Sequence, residues 1–365
     1  MGLAKRHQII GAGMVVVVGL AVLAVPVLGS LLVAIALWAA AVLAMRSRAS
    51  RHDGNALARL ITWLALAKVV ATLAAYCAFR FLYGGGDASF YDASGRRIAQ
   101  AWASGQHAKP EYPFPGTATI EYLTGGLYLV VKPLAVSGYL LFSVAGFAGA
   151  YLWYRAIRIG APDLEPRRLA LLTLGLPTVL FWTSPISKDA VLMLALGAAA
   201  VGGSQLLTGR VRGALLLFVG LGFALTVRPH LAAMFAGSLG LAALFGRGNR
   251  RGRRKVLTKL VAGVLTIGAA LFAISWFGSY STLTGGESAS EIQQAVQSFG
   301  QASGTGGSAF VAKPATSLTD IPQAVLNVAF RPSLLDVRNP LMLIAALEST
   351  YLLLFGFVGD RKSVV

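Results

Sequence analysis

Four short stretches of this sequence combine residue types that can do chemistry. The first is Gly84-Gly85-Gly86-Asp87-Ala88-Ser89-Phe90-Tyr91-Asp92. Three glycines let a chain leave a helix sharply. That turn sets Asp87 in the open with little steric cover, where a carboxylate can take a proton from a hydroxyl nucleophile. The second is Trp182-Thr183-Ser184-Pro185-Ile186-Ser187-Lys188-Asp189. Ser184-Pro185 has the form of an N-cap followed by proline at the first helical position. Asp189 suits the first turn of a helix; Lys188 opposes the helix dipole. A cation held there at a local cost points to an anion bound with the free N–H groups of the helix end.

The third and fourth stretches share a form. Val227-Arg228-Pro229-His230 opens one apolar run, and Phe330-Arg331-Pro332-Ser333 precedes the last one, with Asp336 and Arg338 close by. Guanidinium groups grip phosphate oxygens with two parallel bonds. Arg228, Arg331 and Lys188 together would suit a lipid phosphate or diphosphate. Each motif also has a plainer reading: a solvated turn acid, a Lys188–Asp189 surface pair, or arginines snorkelling at helix ends. His230 reads as a boundary residue. Four histidines and no H-E-x-x-H leave no case for a zinc site, and no metal or other cofactor is expected.

The elements that must position these residues are apolar helices. Of 365 residues, 56% are hydrophobic and 13% charged, too little charge for the surface of a soluble chain this long. The apolar residues come in runs near the ~20 residues that span a bilayer. Spans are expected at 8–28, 31–46, 58–81, 137–155, 169–183, 188–208, 212–228, 230–246, 256–277 and 340–358. Pro26, Gly29 and Ser30 would break the first pair. Residues 119–135, with Glu121 and Lys132, are too polar for a full span and read as an interfacial or re-entrant segment. The fold class is therefore all-α: a single integral membrane domain over 1–365, of about ten transmembrane helices, with both termini cytoplasmic. Met1–Ser30 reads as a retained first helix rather than a cleaved signal.

Charge supports that topology. The net charge is +18, and most of the lysines and arginines fall in the short segments that it places in the cytoplasm. This is the positive-inside pattern, with anionic membrane lipid, not nucleic acid, as the partner. No cytoplasmic segment has room for a nucleotide-binding domain, and no phosphate-cradling G-x-x-x-x-G-K-[ST] occurs. Two long extracytoplasmic loops remain, 82–136 and 278–339. The second holds a Gly/Ser-rich stretch around an amphipathic segment, Ser290 to Phe299, which reads as a connector or as a mobile lid. Inside the membrane, Lys68 and Glu348 fall mid-helix and are expected to pair, since single charges in hydrocarbon are costly. Cys77 allows no internal disulfide.

Many membrane helices, an acid in the first large outer loop, an interfacial segment in that loop and cations at outer helix ends resemble the GT-C superfamily of membrane glycosyltransferases. The likeness covers the architecture of most of the chain, but only short motifs. It implies a hexosyl- or pentosyltransferase working on cell-envelope polysaccharide, and the Ala/Gly/Arg-rich composition points to a bacterial inner (plasma) membrane. Sugar would pass from a polyprenyl-phosphate donor to an extracytoplasmic glycan or lipid acceptor. By this resemblance Asp87 is the base, Asp189 its alternate, and Lys188, Arg228 and Arg331 hold the donor phosphate. Tyr91, Asp92 and His230 complete the substrate contacts, with Tyr91 able to stack on or bond to a sugar. The pattern departs from the family twice: a helical hairpin precedes the acid, and Asp92 lies five residues from Asp87 rather than beside it. A repeat-unit polymerase or ligase, a lipid-linked substrate transporter or flippase, and a non-enzymatic scaffold are the other readings.

Overall fold

The computed structural model describes residues 26–245 and 332–360, with a few helical positions between 260 and 272. The described residues are all-helical, with no strand among them. The chain forms two compact units, 1–175 with 179–270, and 176–178 with 271–365.

In the first unit, α1 (Pro26–Asp53) turns at Gly54 into α2 (Asn55–Cys77). Gly29 and Ser30, expected to separate two helices, lie inside α1. The second helix continues through a π-helical turn, Ala78–Leu82, and then stops. Gly84, Gly85 and Gly86 all have positive φ, at 65°, 113° and 61°. Side chains carrying a Cβ rarely adopt that conformation, so the run of three glycines is what makes this exit possible.

The loop expected after that exit is in fact mostly helix. α3 (Gly86–Ala103) and α4 (Thr117–Val130) form a short antiparallel pair. The buried face of α3 is Ala88, Tyr91, Ser94, Gly95, Ile98 and Ala99, a helical period in which small residues alternate with Tyr91 and Ile98. Its polar remainder hides that period in a simple reading of hydropathy. α4 covers most of the 119–135 segment and is too short for a full span.

The centre of the unit is α5 (Ala135–Gly160), α8 (Lys188–Leu207) and α9 (Gly213–Val227). These helices pack nearly backbone to backbone. A Cβ added at Gly149 would lie 2.4 Å from the Met193 carbonyl carbon, and one at Gly202 2.3 Å from the Leu217 nitrogen. Between α5 and α8 the expected single helix is two, α6 (Pro166–Leu174) and α7 (Pro177–Trp182), because Pro177 interrupts the ladder. α10 (Pro229–Phe245) follows α9 directly.

Four helical stretches are long and apolar enough to cross a membrane: Gly29–Asp53, Asn55–Leu82, Ala135–Gly160 and Lys188–Leu207. Large apolar side chains such as Trp63, Phe81 and Leu215 face outward. Both features mark a membrane protein. α9, α10 and Pro340–Phe355 are apolar but shorter. The 8–28 and 256–277 spans fall largely outside the described residues, as does most of the 278–339 loop with its Ser290 to Phe299 segment.

The first unit has two distinct ends. At one, Asp53 at the end of α1 pairs with Arg158 near the end of α5 at 3.1 Å. Arg46, Arg48, Arg51, Arg155, Arg167, Arg168, Arg210 and Arg212 belong to the segments at this end. At the other, Ser30 near the start of α1 donates to the Lys132 carbonyl at 3.0 Å, just before α5 begins. Every described candidate residue lies toward this second end.

The two mid-helix charges each have partners of their own. Lys68, 1% exposed, donates to the carbonyls of Val179 and Leu180 at 3.3 and 2.8 Å and to the Thr183 hydroxyl at 2.6 Å. The last carbonyls of a helix carry partial negative charge, and those of α7 serve here in place of the expected carboxylate. In the second unit, α11 (Pro340–Asp360) carries Glu348, which accepts from the Thr178 backbone N–H at 2.8 Å and from the Thr178 hydroxyl.

Candidate active site

Four helix starts converge at the second end, and each brings one part of the site. The glycine turn delivers Asp87 as the second residue of α3. It is held from behind: Gly85 N–H donates to the Phe79 carbonyl at 2.7 Å, and the Phe79 ring lies among Phe181 and Trp182, just before α8. Asp87 itself is exposed, and among the described residues no hydrogen bond or ion pair holds its carboxylate.

Tyr91 lies one turn further along α3 and is 2% exposed. Burial first, and then the charge of Asp87, push its phenol up to about 12. Thr117, the first residue of α4, faces that phenol. Thr117 Oγ1 accepts a hydrogen bond from Lys188 Nζ at 2.7 Å. The start of α4 is also tied to the end of α9, since Gly116 N–H and the Thr119 hydroxyl donate to the Thr226 carbonyl at 2.9 and 2.5 Å.

The start of α8 is capped by Ser187, whose hydroxyl accepts from the Ala190 N–H at 3.2 Å. The expected Ser184-Pro185 cap is therefore displaced by three residues. Ser184 instead donates back to the Leu180 carbonyl at 2.7 Å and is bonded by Thr72. The shift leaves Lys188 and Asp189 as the first two residues of the helix. Asp189 Oδ1 lies 3.0 Å from Arg228 Nη1. Arg228 is the joint between α9 and α10: its N–H closes α9 on Ala224, and its carbonyl accepts the first N–H groups of α10. Pro229 needs no acceptor there, so the joint is tight and the guanidinium is presented at the boundary.

Asp87, Tyr91, Lys188, Asp189 and Arg228 thus come together. The charges of Asp87, Asp189 and Arg228 all act on Lys188. His230 follows Arg228 at the exposed start of α10. Asp92 is committed elsewhere: Arg96 holds it at 3.0 Å and the Tyr128 hydroxyl donates to it. Arg331 lies outside the described residues. Among the described residues, no three His, Cys, Asp or Glu side chains are grouped as metal ligands.

Two functional features escaped the sequence reading. One is Thr117, an ordinary threonine made a hub by the convergence of α3, α4 and α8. The other is an open cavity of about 510 Å³, lined by Trp153, Ile157, Leu192, Met193, Leu196 and Leu231, with Thr173, Thr183, Asp189 and Arg228. Its charged residues belong to the second end. Ile157 lies toward the basic end, roughly 16 Å of helix rise from Gly146, which packs on Thr183. The cavity therefore joins an ion pair at the boundary to an apolar groove between membrane helices. No family model matches the chain, no curated protein matches it, and no solved structure matches it.

Proposed function

We propose that this protein is a glycosyltransferase that moves a sugar from a polyprenyl-phosphate donor to a glycan or lipid acceptor on the extracytoplasmic side. The observation that carries this reading is the pairing of a cationic cluster with an apolar cavity. Arg228, paired with Asp189, marks one end of a groove otherwise walled by Trp153, Leu192, Met193, Leu196 and Leu231. Lys188 is the residue before Asp189, close enough for the Arg228 charge to act on it. A polyprenyl phosphate has that same polarity, an anionic head on a long apolar tail. The proposal includes the fuller topology: about ten spans, both termini in the cytoplasm and a bacterial inner membrane, with the basic end of the first unit facing in.

The proposed chemistry uses these groups as follows. Asp87, whose carboxylate no hydrogen bond or ion pair holds among the described residues, serves as base. It takes the proton of the acceptor hydroxyl as that oxygen bonds to the anomeric carbon. The bond from the anomeric carbon to the phosphate oxygen breaks, and its electron pair leaves on the polyprenyl phosphate. Lys188 and Arg228 stabilise the negative charge that grows there. Asp189, neutralised by Arg228, is the less available base.

Sugar transfer in proteoliposomes, from a panel of polyprenyl-phosphate sugars, tests this. Wild type should transfer at least one sugar, and Asp87→Asn and Arg228→Ala should both lose transfer while remaining folded. A wild type that transfers nothing, with both variants fully functional in cells, would overturn the reading in favour of a transporter or a scaffold. A polymer ladder in place of one added sugar would identify a repeat-unit polymerase.

A further inference from the structure

The segment between α3 and α4 is built more firmly than a connector requires. Its sequence from Lys109 to Gly116 is Lys-Pro-Glu-Tyr-Pro-Phe-Pro-Gly, so Phe114 lies between two prolines and Tyr112 directly precedes one. Proline fixes φ and lowers the entropy that ordering costs. The segment is also clamped at both ends. Glu121, which is fully buried, accepts from the Glu111 N–H at 2.9 Å and the Tyr112 N–H at 3.4 Å. Gly116 N–H is tied to Thr226 at the other end. Burying a carboxylate is costly unless its bonds are made, and this one spends two of its bonds fixing the backbone at an aromatic residue.

The aromatic residue so fixed is still more than half exposed. Tyr112 is 53% exposed and Phe114 62%. The Tyr112 ring meets the Phe90 ring edge to face, with centroids 5.4 Å apart. Phe90 lies three residues after Asp87 on α3, and Tyr91 lies four after it. Residues so spaced flank one position on a helix surface. Asp87 therefore stands between two unlike neighbours. The Phe90 and Tyr91 rings meet with centroids 5.6 Å apart; Tyr91 leads inward to Thr117 and Lys188, and Phe90 leads outward to Tyr112.

From this we infer that Tyr112, backed by Phe90, is the acceptor subsite, a rigid aromatic platform for the apolar face of a sugar ring in the acceptor glycan. The inference rests on the transferase reading above and names its acceptor class. Donor phosphate occupies the cationic side, the acceptor sugar lies on the aromatic side, and Asp87 between them meets the hydroxyl that attacks. A pre-ordered ring loses little entropy when the sugar stacks on it, which accounts for the prolines and the double clamp. Tyr91, too buried to stack, holds the opposite wall.

The full chain in proteoliposomes, with donor saturating and a soluble oligosaccharide varied, separates the two halves of this arrangement. Tyr112→Ala should raise the acceptor KM roughly tenfold, with donor KM and thermal stability unchanged, and Tyr112→Phe should keep the wild-type value. Saturation-transfer NMR on nanodisc-embedded protein without donor should show the same oligosaccharide bound to wild type and not to Tyr112→Ala. Transfer with an acceptor KM indifferent to Tyr112 would overturn the platform and leave the transferase intact. Oligosaccharide binding that depends on Tyr112, with no transfer from any donor, would keep the platform and sink the transferase. Quenching of a fluorophore at position 112 by brominated lipid, with no acceptor effect, would place this ring in the bilayer and overturn the inference.

Discussion

α3 carries two groups of charge that differ in one respect. Toward its middle, Asp92 is held by Arg96 and Tyr128, and Arg96 also donates to the Pro133 carbonyl at 2.8 Å. Nearby, Glu121 of α4 takes hydrogen bonds from Ser94, Glu111 and Tyr112. At the start of the helix, the charges of Asp87, Asp189 and Arg228 act on Lys188, but among the four the one ion pair is Asp189–Arg228 at 3.0 Å. The middle group satisfies itself and is architecture. The terminal group is assembled but incompletely satisfied, and such a group is what a ligand completes.

The widest test of this contrast swaps function against stability. Asp87→Asn should lower kcat by about 10³-fold, as loss of a general base does, and leave the melting transition in detergent where it was. Glu121→Ala should do the reverse. It removes a fully buried acceptor from three donors and should cost about 3 kcal/mol of stability. Protein that still folds should retain much of its kcat. A large loss of stability for Asp87→Asn would show that its carboxylate is a structural group after all.

How much of this was legible beforehand depends on what each feature rests upon. The glycine turn before Asp87 was readable because positive φ at three successive positions leaves few alternatives to glycine. Arg228-Pro229 and Lys188-Asp189 were readable as helix boundaries, where proline and charge have fixed meanings. The α3 helix was not, because apolar and polar residues nearly cancel in its mean hydropathy, although Tyr91 and Ile98 stand at helical spacing with Ala88, Ser94, Gly95 and Ala99. The role of Thr117, and what Glu121 bonds to, were hidden for another reason. Their partners lie nine to more than seventy residues away, and only the tertiary fold brings them together. The same holds for Lys68: an intramembrane cation demands partners, but the sequence does not say that carbonyls of a broken helix supply them.

A smaller effect sharpens the cationic half. Arg228→Lys keeps the charge but loses the planar fork, and should raise the donor KM roughly tenfold while sparing the acceptor KM. Thr117→Val removes the hydroxyl that positions Lys188 at almost constant volume. A loss of roughly three- to tenfold in kcat/KM is expected, in line with one hydrogen bond to a charged group, and Thr117→Ser should restore it. If Val is as active as Ser at this position, Lys188 takes its place without Thr117.

The smallest expected effect is at Tyr91, and it reads the charge on Asp87 directly. At neutral pH the phenol is protonated, so Tyr91→Phe should cost roughly 1 kcal/mol or less of stability through the lost contact with Thr117. The difference lies at high pH. Because the folded-state value is raised from 10.0 to about 12, the folded protein holds this proton where the unfolded chain releases it. The resulting stabilisation is intact below pH 10 and is lost as pH rises from 10 through about 12. Thermal unfolding of wild type should therefore fall more steeply over that window than that of Tyr91→Phe. Asp87→Asn should shrink the gap, since the neighbouring negative charge is the second cause of the shift after burial. Parallel curves for wild type and Tyr91→Phe would mean that the phenol is not held neutral in the folded protein. A gap that survives Asp87→Asn undiminished would mean that the Asp87 charge is screened from the wall of its own site.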